Sequence, residues 1–300
     1  MAQPEYPKPL IAIVGETASG KSELAIYLAK KFRGEIISAD SWVIRRGVDI
    51  GTAKPTLSER QQVPHHMIDV IDTCEDYSAA EYKVAAGKVI RDIYKRKNIP
   101  FLVGGTGLYV DSLLFNYSFL PANDPEMRQE LNNLSLQKLV ELASRQGLMS
   151  SKIDWRNKRR VIRLIETQGA VPSKQSLRPN TLVIGIEPSP EEVKLNIKRR
   201  VDKMISTGLE NEVKDLNRRY GWKCEALKGI GYREWELYFE SNQSLEDTKQ
   251  RIIKNTYLLA KRQKTWFKRN KSIHWLATPV NHEEIEELVT TYLNNNLSLL

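Results

Sequence analysis

The stretch LIAIVGETASGKSELAIYLAKKF, residues 10–32, decides the fold. It places an apolar run before the glycine-rich segment Gly15–Ser22 and an amphipathic run after it. The glycine-rich segment, GETASGKS, matches the pattern G-x-x-x-x-G-K-[ST] at every fixed position. This pattern indicates a phosphate-binding loop when a buried strand leads into it and a helix follows, as predicted here.

A loop of this kind directs backbone N–H groups and a helix N-terminus at an anion. Lys21 would add a cation, and the hydroxyl of Ser22 is the predicted Mg²⁺ ligand. The pattern alone leaves open whether the bound phosphates belong to a nucleotide, so ATP binding stays possible at this stage. The candidate diphosphate- or nucleotide-binding residues are Gly15, Glu16, Thr17, Ala18, Ser19, Gly20, Lys21 and Ser22.

The composition is that of an ordinary globular protein of 300 residues, with 41% hydrophobic and 28% charged residues. No apolar run approaches the roughly 20 residues of a membrane span, and the start MAQPEYPKP does not resemble a signal peptide. Cys74 and Cys224 are predicted to be isolated, without a disulfide framework or metal-ligand spacing. We therefore expect a cytoplasmic protein with no membrane partner, and nothing calls for an obligate dimer, so we expect a monomer.

The basic residues are concentrated in two places. The net charge is +9, and residues 248–270 contain eight Lys or Arg residues and no acid. A second cluster, WRNKRRVIR, occupies residues 155–163. Because solvated helix faces usually carry both signs, two acid-free basic helices favour contact with the phosphate backbone of a nucleic acid.

Strand and helix patterns alternate in the first third of the chain. The runs LIAIVG, GEIISAD and IPFLVGG predict buried parallel strands, and a helix lies between the last two. This order favours an α/β fold, a P-loop NTPase-like parallel sheet flanked by helices. We predict residues 1–119 as the first part of this core and 120–180 as a helical insertion. Residues 181–300 then complete the core with the strand TLVIGIEP and basic C-terminal helices.

Polar residues follow the predicted strands where a ligand would bind. Asp40 follows the second strand and could accept a proton or position a nucleophile, although a helix cap or a water-mediated Mg²⁺ contact is the alternative. After the third strand, two glycines and Thr106 fit either close approach of a ligand or a tight turn. Arg233 lies in the loop GIGYRE, but an isolated Arg is more often a surface residue. The adjacent pair His65-His66 is poorly spaced for one metal ion, so we assign no zinc.

Several segments together resemble the bacterial tRNA dimethylallyltransferases, also called tRNA isopentenyltransferases. They are GETASGKS, SADSW with the later GVDIGTAKP, PFLVGGTGLYVDSLL, NKRRVIRLIE, GIGYRE and AKRQKTWF, in the family's order over residues 10–276. The phosphate loop alone is shared by many proteins, whereas the combination is specific.

The resemblance implies transfer of a dimethylallyl group from dimethylallyl diphosphate to the exocyclic N6 amine of the adenosine 3′-adjacent to the tRNA anticodon. The loop would hold the leaving diphosphate through Lys21 and through Mg²⁺ bound at Ser22. Arg233 would add a further positive charge beside it. Asp40 would act as general base on the amine. The adenine would have to flip out of its stack to reach the site.

The resemblance also implies contacts with the anticodon arm. The implied tRNA-binding residues are Asp40, Ser41, Trp42, Val43, Thr106, Arg128, Arg159, Arg160, Val161, Ile162 and Arg163. The sequence departs from the family at Glu16, where proline is usual, and across Trp42–Arg46, which normally helps to read the flipped base.

Two other functions fit part of the pattern. A nucleotide or small-molecule kinase would use the same loop but gives the basic helices no role. A nucleic-acid-binding NTPase explains the charge, yet the strand IPFLVGG ends in glycines rather than in the carboxylate that such enzymes need.

Overall fold

The computed structural model describes residues 8–120, 124–149, 153–170, 172–241 and 243–296. Within these ranges, no helix has both the length and the apolar character needed to cross a membrane.

A six-stranded parallel sheet forms the centre of the chain, in the order β3-β2-β4-β1-β5-β6. Its strands are β1 Leu10–Val14, β2 Gly34–Ser38, β3 His65–His66, β4 Ile99–Gly104, β5 Thr181–Glu187 and β6 Ile273–Ala277. The predicted α/β fold and four of these strands are confirmed. The sequence pattern missed β3, which has two residues, and β6, in which His274 interrupts a short apolar run.

Helices cover the sheet and connect its strands. The larger unit contains α1 Lys21–Lys31, α2 Leu57–Gln62, α3 Ala79–Lys95, α4 Gly107–Leu114, α8 Pro190–Ser206, α9 Leu209–Tyr220, α10 Glu236–Glu240, α11 Leu245–Phe267 and α12 His282–Asn294. Local sequence fixes several starts: Ser78 with Glu81 and Ser189 with Glu192 form capping boxes at α3 and α8. All five residues of β1 are buried, and the phosphate loop begins at the residue that follows this strand.

The chain divides into two compact units. One consists of the residues up to Leu114 together with those from Leu177 onward, and the other of Phe115–Ser176. The second unit contains α5 Pro125–Asn133, α6 Leu136–Arg145 and α7 Lys158–Glu166, with its own apolar core. It corresponds to the insertion predicted at 120–180, but it starts and ends about five residues earlier. The backbone N–H of Gln175 bonds to the carbonyl of Phe115, whereas that of Arg178 bonds to Leu114, so the boundary falls between these two pairs.

The prediction that the two cysteines are isolated was wrong. Cys74 and Cys224 form a disulfide with their Cα atoms 4.9 Å apart. They are separated by 150 residues in sequence, so only the tertiary fold brings them together. Spacing along the chain carries no signal for such a pair.

Glu35 holds a polar cluster at the start of β2. Its carboxylate is buried and accepts two hydrogen bonds from Arg96, at 2.8 and 2.7 Å, and one from Asn98 at 2.8 Å. His66 Nε2 lies 2.6 Å from the same carboxylate, whereas His65 bonds to the carbonyl of Val63. The two histidine rings therefore have different partners. Arg96 above all, with Asn98 and His66, lowers the pKa of Glu35 to about 2.

Replacing Glu35 with Gln is expected to lower the free energy of unfolding at neutral pH by about 3 kcal/mol. Because the folded-state pKa lies below the ordinary 4.5, the contribution is complete above pH 4.5 and disappears as the pH falls toward 2. Urea unfolding of both proteins at several pH values measures this difference. Asp92→Asn, which breaks an exposed pair with Lys95, is the control and should change the free energy of unfolding little. A Glu35→Gln difference that is constant from pH 7 to pH 2.5 would contradict the assignment.

Candidate active site

A cavity of about 400 Å³ opens at the carboxyl ends of β1, β2 and β4, where ligands bind in open parallel sheets. Its walls bring together residues that are far apart in sequence. Lys21 and Ser22 come from the start of α1, Asp40 follows β2, and Arg233 comes from the segment before α10. Apolar side chains line the rest, among them Ile26, Val43, Met204 and Ile252.

The phosphate loop has the backbone shape that its sequence predicts. Ala18 and Gly20 adopt positive φ angles of 63° and 87°, and α1 begins at Lys21 without a side-chain cap. The ammonium of Lys21 donates to the carbonyl of Glu16 at 3.1 Å, so it lies over the loop. The hydroxyl of Ser19 is buried without a hydrogen-bond partner among the described residues. Loop and helix start thus leave polar groups for an anion.

Two helices from the second half of the chain hold this loop. Gln263 of α11 accepts a hydrogen bond from the N–H of Thr17 at 2.8 Å and donates to the carbonyl of Gly105 at 3.0 Å. Asn196 of α8 donates to the carbonyl of Ala18 at 3.2 Å. Sequence inspection missed both residues, because a lone amide in a helix gives no signal of what it contacts.

The glycines after β4 are explained by protein contacts. A Cβ atom at Gly104 would lie 2.2 Å from the carbonyl oxygen of Ala39, and one at Gly105 would lie 2.4 Å from Gln263. The contact with the backbone of Ala39 requires glycine at position 104, whereas at position 105 a Cβ atom would displace the end of the Gln263 side chain from its bonds to Thr17 and Gly105.

Burial above all, together with the nearby guanidinium of Arg200, lowers the pKa of Lys21 to about 8. The negative charges of Asp40 and Glu16 act in the opposite direction. Glu16 itself is buried, and this burial raises its pKa. A bound anion would offset the repulsion between Lys21 and Arg200.

Asp40 is half-buried at the cavity wall. Its Oδ1 accepts a hydrogen bond from the N–H of Trp42 at 2.8 Å within a turn, and no helix begins at this point, so Asp40 is not a helix cap. Its Oδ2 has no partner within the described residues, so the carboxylate can still accept a proton. Thr106 fixes the following residue, since its Oγ1 accepts from the N–H of Ser41 at 3.0 Å. Trp42 and Val43 also line the cavity, and Val43 is buried.

Arg233 reaches the cavity from the loop predicted from sequence. Its side chain is half exposed, and its Nε donates to the buried carboxylate of Glu234 at 3.2 Å. Glu234 also accepts from the N–H of Gly231 at 2.8 Å and from Asn255 at 2.7 Å. These contacts hold the loop while the rest of the guanidinium faces the cavity.

Glu212 of α9 organises the loop of residues 48–55 on another side of the cavity. Its carboxylate accepts hydrogen bonds from the backbone N–H groups of Asp49, Ile50 and Gly51 at 2.9 to 3.1 Å. It also accepts the phenol of Tyr232 at 2.7 Å, next to Arg233. No sequence pattern selects Glu212, because its backbone partners lie some 160 residues away along the chain.

The predicted tRNA-binding residues of the smaller unit fall into three groups. Arg159 and Arg160 are exposed at the start of α7. Arg128 and Arg163 both donate to the buried carboxylate of Glu166, at 2.6 to 3.2 Å, so their charge is partly used within the unit. Val161 and Ile162 are buried in its apolar core. Helix periodicity turns the last two side chains inward, so their contact with tRNA, which stays a prediction, would have to involve the backbone.

Acidic residues from other elements pair with basic residues of the long helix α11 and with the residue that follows it, Lys268. Lys249 pairs with Asp202 at 2.6 Å, and Lys264 pairs with Glu187 at 3.0 Å. Lys268 also donates to Glu187, at 2.5 Å. Part of its positive charge is therefore neutralised by α8 and β5, which the local sequence could not reveal.

The family model described as IPP transferase matches residues 44–270, which is more than half of the chain. The chain belongs to the IPP transferase family. This confirms the resemblance that the motifs indicated, and it accounts for an α/β site that combines a phosphate loop with basic helices.

Individual members of the family are similar over almost their whole length. The tRNA dimethylallyltransferase of Staphylococcus epidermidis is 40% identical, over 98% of this chain and 95% of the relative. That of Bacillus subtilis is 36% identical, over 97% of this chain and 98% of the relative.

Solved structures of family members share the fold. A full-length tRNA isopentenylpyrophosphate transferase from Bacillus halodurans superposes with a TM-score of 0.76 at 36% identity, covering 98% of this chain and 99% of its own. A eukaryotic dimethylallyltransferase acting on tRNA gives a TM-score of 0.80 at 26% identity, covering 97% of this chain and 80% of its own.

Proposed function

We propose that this chain transfers the dimethylallyl group of dimethylallyl diphosphate to the N6 amine of the adenosine 3′-adjacent to the tRNA anticodon, with release of diphosphate. The observation that carries the proposal is the cavity itself. It joins a phosphate loop, four further cationic side chains and a carboxylate with a free oxygen to an apolar wall. The apolar wall suits a five-carbon allylic chain, and the names of the relatives support the same reaction.

The leaving diphosphate gains negative charge as the allylic C–O bond breaks. Lys21, Arg233 and the N–H groups of the loop are the residues that stabilise this charge. Because these donors are held in place by Gln263, Asn196 and Glu234, little reorganisation is needed when the bond breaks.

The residues around the loop fit Mg²⁺. Ser22 lines the cavity with a hydroxyl oxygen that has no partner among the described residues. Mg²⁺ takes oxygen ligands and is commonly bound through substrate phosphates and water with only one or two protein ligands. Consistent with this, the described residues contain no group of three His, Cys, Asp or Glu side chains that could hold a metal ion alone. When bound, Mg²⁺ would neutralise charge on the diphosphate.

Asp40 is the residue that accepts the proton of the amine. Of the described residues that line the cavity, two are carboxylates, Asp40 and Glu59. Glu59 serves the capping box of α2, where its Oε2 accepts from the N–H and the hydroxyl of Thr56, both at 2.7 Å. Asp40 instead directly follows β2, at the carboxyl ends of the strands, where parallel sheets bind ligands. Asp40 keeps one oxygen free, and an amine that attacks carbon must lose a proton as the bond forms.

The anticodon arm would be held by exposed cations. Arg159 and Arg160 on α7 and the basic residues of α11 that lack acidic partners are proposed to contact phosphates. Arg128 and Arg163 would take part while still bonded to Glu166. Near the cavity, Ser41, Trp42, Val43 and Thr106 would contact the flipped adenosine. We propose a monomer that acts in the cytoplasm.

The test is transfer of labelled dimethylallyl diphosphate to unmodified tRNA with Mg²⁺ and without ATP. Label in the tRNA is expected, and a tRNA with guanosine at the target position, which lacks the N6 amine, should receive none. Consumption of ATP stimulated by RNA or by a small acceptor, without any label transfer, would instead identify a kinase or an NTPase.

A further inference from the structure

The disulfide between Cys74 and Cys224 has one exposed and one buried member. Cys74 lies at the surface in the loop before α3, whereas Cys224 is 5% exposed and packs in the apolar cluster that α8, α9 and α11 share. The cytoplasm, the proposed location of this chain, is reducing, and disulfides there are mostly transient or redox-sensing. Because a small thiol can reach the pair from the side of Cys74, the bond is suited to reversible opening.

The loop that carries Cys74 is connected to the cavity wall through one arginine. The buried guanidinium of Arg45 donates to the carbonyl of Thr73, at 3.2 Å, and to that of Glu75. The same guanidinium lies over the ring of Trp42, with 5.6 Å between its central carbon and the ring centroid. Trp42 lines the cavity, so the position of this loop bears on the wall of the site.

The segment that carries Cys224 reaches Trp42 as well. Cys224 directly precedes the short helical turn Glu225–Lys228, which Gly229 follows. Gly229 packs so closely on the indole that a Cβ atom at this position would lie 2.8 Å from the Trp42 ring. Trp42 and Gly229 both line the cavity. The disulfide therefore closes a ring of contacts in which Trp42 neighbours both Arg45 and Gly229.

The part of the site that would hold the diphosphate has supports of its own. Gln263 and Asn196 bond to the backbone of the phosphate loop, and Glu234 holds the guanidinium of Arg233. None of these bonds involves either cysteine or Trp42. Opening of the disulfide would therefore loosen the wall at Trp42 and leave the phosphate loop in place.

We propose that Cys74 and Cys224 form a reversible redox tether, which holds Trp42 and Gly229 together as the wall that receives the flipped adenosine. The inference rests on the proposed function. It adds control by the thiol–disulfide state to the acceptor side of the site, and it leaves recognition of the diphosphate independent of that state.

The tether opens by exchange with a dithiol reductant. A thiolate of the reductant attacks the Sγ of Cys74, the bond between the cysteines breaks, and Cys224 leaves as a thiolate that takes up a proton. The second thiol of the reductant then displaces Cys74 from the mixed disulfide. The protein gains two electrons and two protons, and the reductant becomes a disulfide. A low-molecular-weight disulfide such as oxidised glutathione closes the tether by the reverse exchange.

Reduction with dithiothreitol is expected to raise the KM for tRNA in the transfer assay by about 3- to 30-fold, because a preorganised wall is lost. The affinity for inorganic diphosphate, measured by calorimetry, should be equal in the two forms. Alkylation with iodoacetamide and mass spectrometry count the free thiols, which should be absent before reduction and present at both cysteines after it. Amide hydrogen exchange should become faster in residues 221–231 and stay unchanged in α1.

Cys74→Ser is the variant that removes the tether, since this side chain is exposed and its loss leaves no cavity in the core. Its KM for tRNA should equal that of the reduced protein, with and without dithiothreitol. Asp76→Asn is the matched control, because it changes an exposed residue of the same loop and retains both cysteines. This control should respond to the reductant as the unaltered protein does.

An equal KM for tRNA in the oxidised and reduced forms of the unaltered protein would overturn the inference, and this comparison needs no variant. A reductant effect that persists in Cys74→Ser, or a change confined to diphosphate affinity, would refute it equally. If neither form transfers label, the proposed function fails, and hydrogen exchange still decides on the tether. Faster exchange of residues 221–231 on reduction would then support the tether, and unchanged exchange would refute it.

Discussion

Asp40→Asn is expected to reduce kcat of the proposed transfer by about 100- to 10,000-fold while leaving tRNA affinity nearly unchanged. Asparagine retains an acceptor oxygen for the N–H of Trp42, so the turn after β2 should persist. It cannot take up a proton at neutral pH, however, and the attacking amine would have no base. Single-turnover transfer and a tRNA filter-binding assay measure the two quantities.

The matched control for Asp40 is Glu59→Gln, which neutralises the second carboxylate of the cavity wall. Because Glu59 caps α2 through Thr56, this change should lower the stability of the protein by an amount typical of a lost helix cap. The kcat should stay within a few-fold of the original. A loss of kcat in Glu59→Gln as large as that in Asp40→Asn would contradict the assignment of Asp40 as the general base.

Lys21→Met should reduce kcat/KM for dimethylallyl diphosphate by about 100- to 1,000-fold, since a preorganised donor to the leaving group is removed. The control is Lys30→Met, an exposed lysine of the same helix that bonds to Gln62, and this change should have little effect. Steady-state kinetics at saturating tRNA measures both. Normal kcat/KM in Lys21→Met would mean that the loop does not hold the leaving group.

The pH dependence of Lys21 gives a second readout of the same prediction. Its pKa is about 8 in the free site, so a rise in pH through 8 removes the proton that makes it a cation. Affinity for inorganic diphosphate should therefore fall above pH 8 in the original protein more steeply than in Lys21→Met. Ionisation of diphosphate itself affects both proteins equally, so the difference between the two profiles belongs to Lys21.

Much of the fold and part of the site could be predicted from sequence, because the signals are local. Gly20 and Lys21 lie within one short loop whose pattern is contiguous, and β1 and α1 flank it directly. Asp40 could be chosen because it directly follows a buried strand, where parallel sheets bind ligands. Arg233 became a strong candidate only through the resemblance to the family.

The sequence by itself determined the parallel α/β core, the phosphate loop and the insertion of helices, since each depends on neighbours along the chain. Only the tertiary structure revealed Gln263 and Asn196 on the loop, Glu212 under residues 49–51, Arg200 in the cavity wall and the pairing of Cys74 with Cys224. These contacts join positions that are 148 to 246 residues apart in sequence. A single polar side chain in a helix belongs to no periodic pattern or motif that would indicate a partner so far away in sequence. The two residues come into contact only when the chain folds.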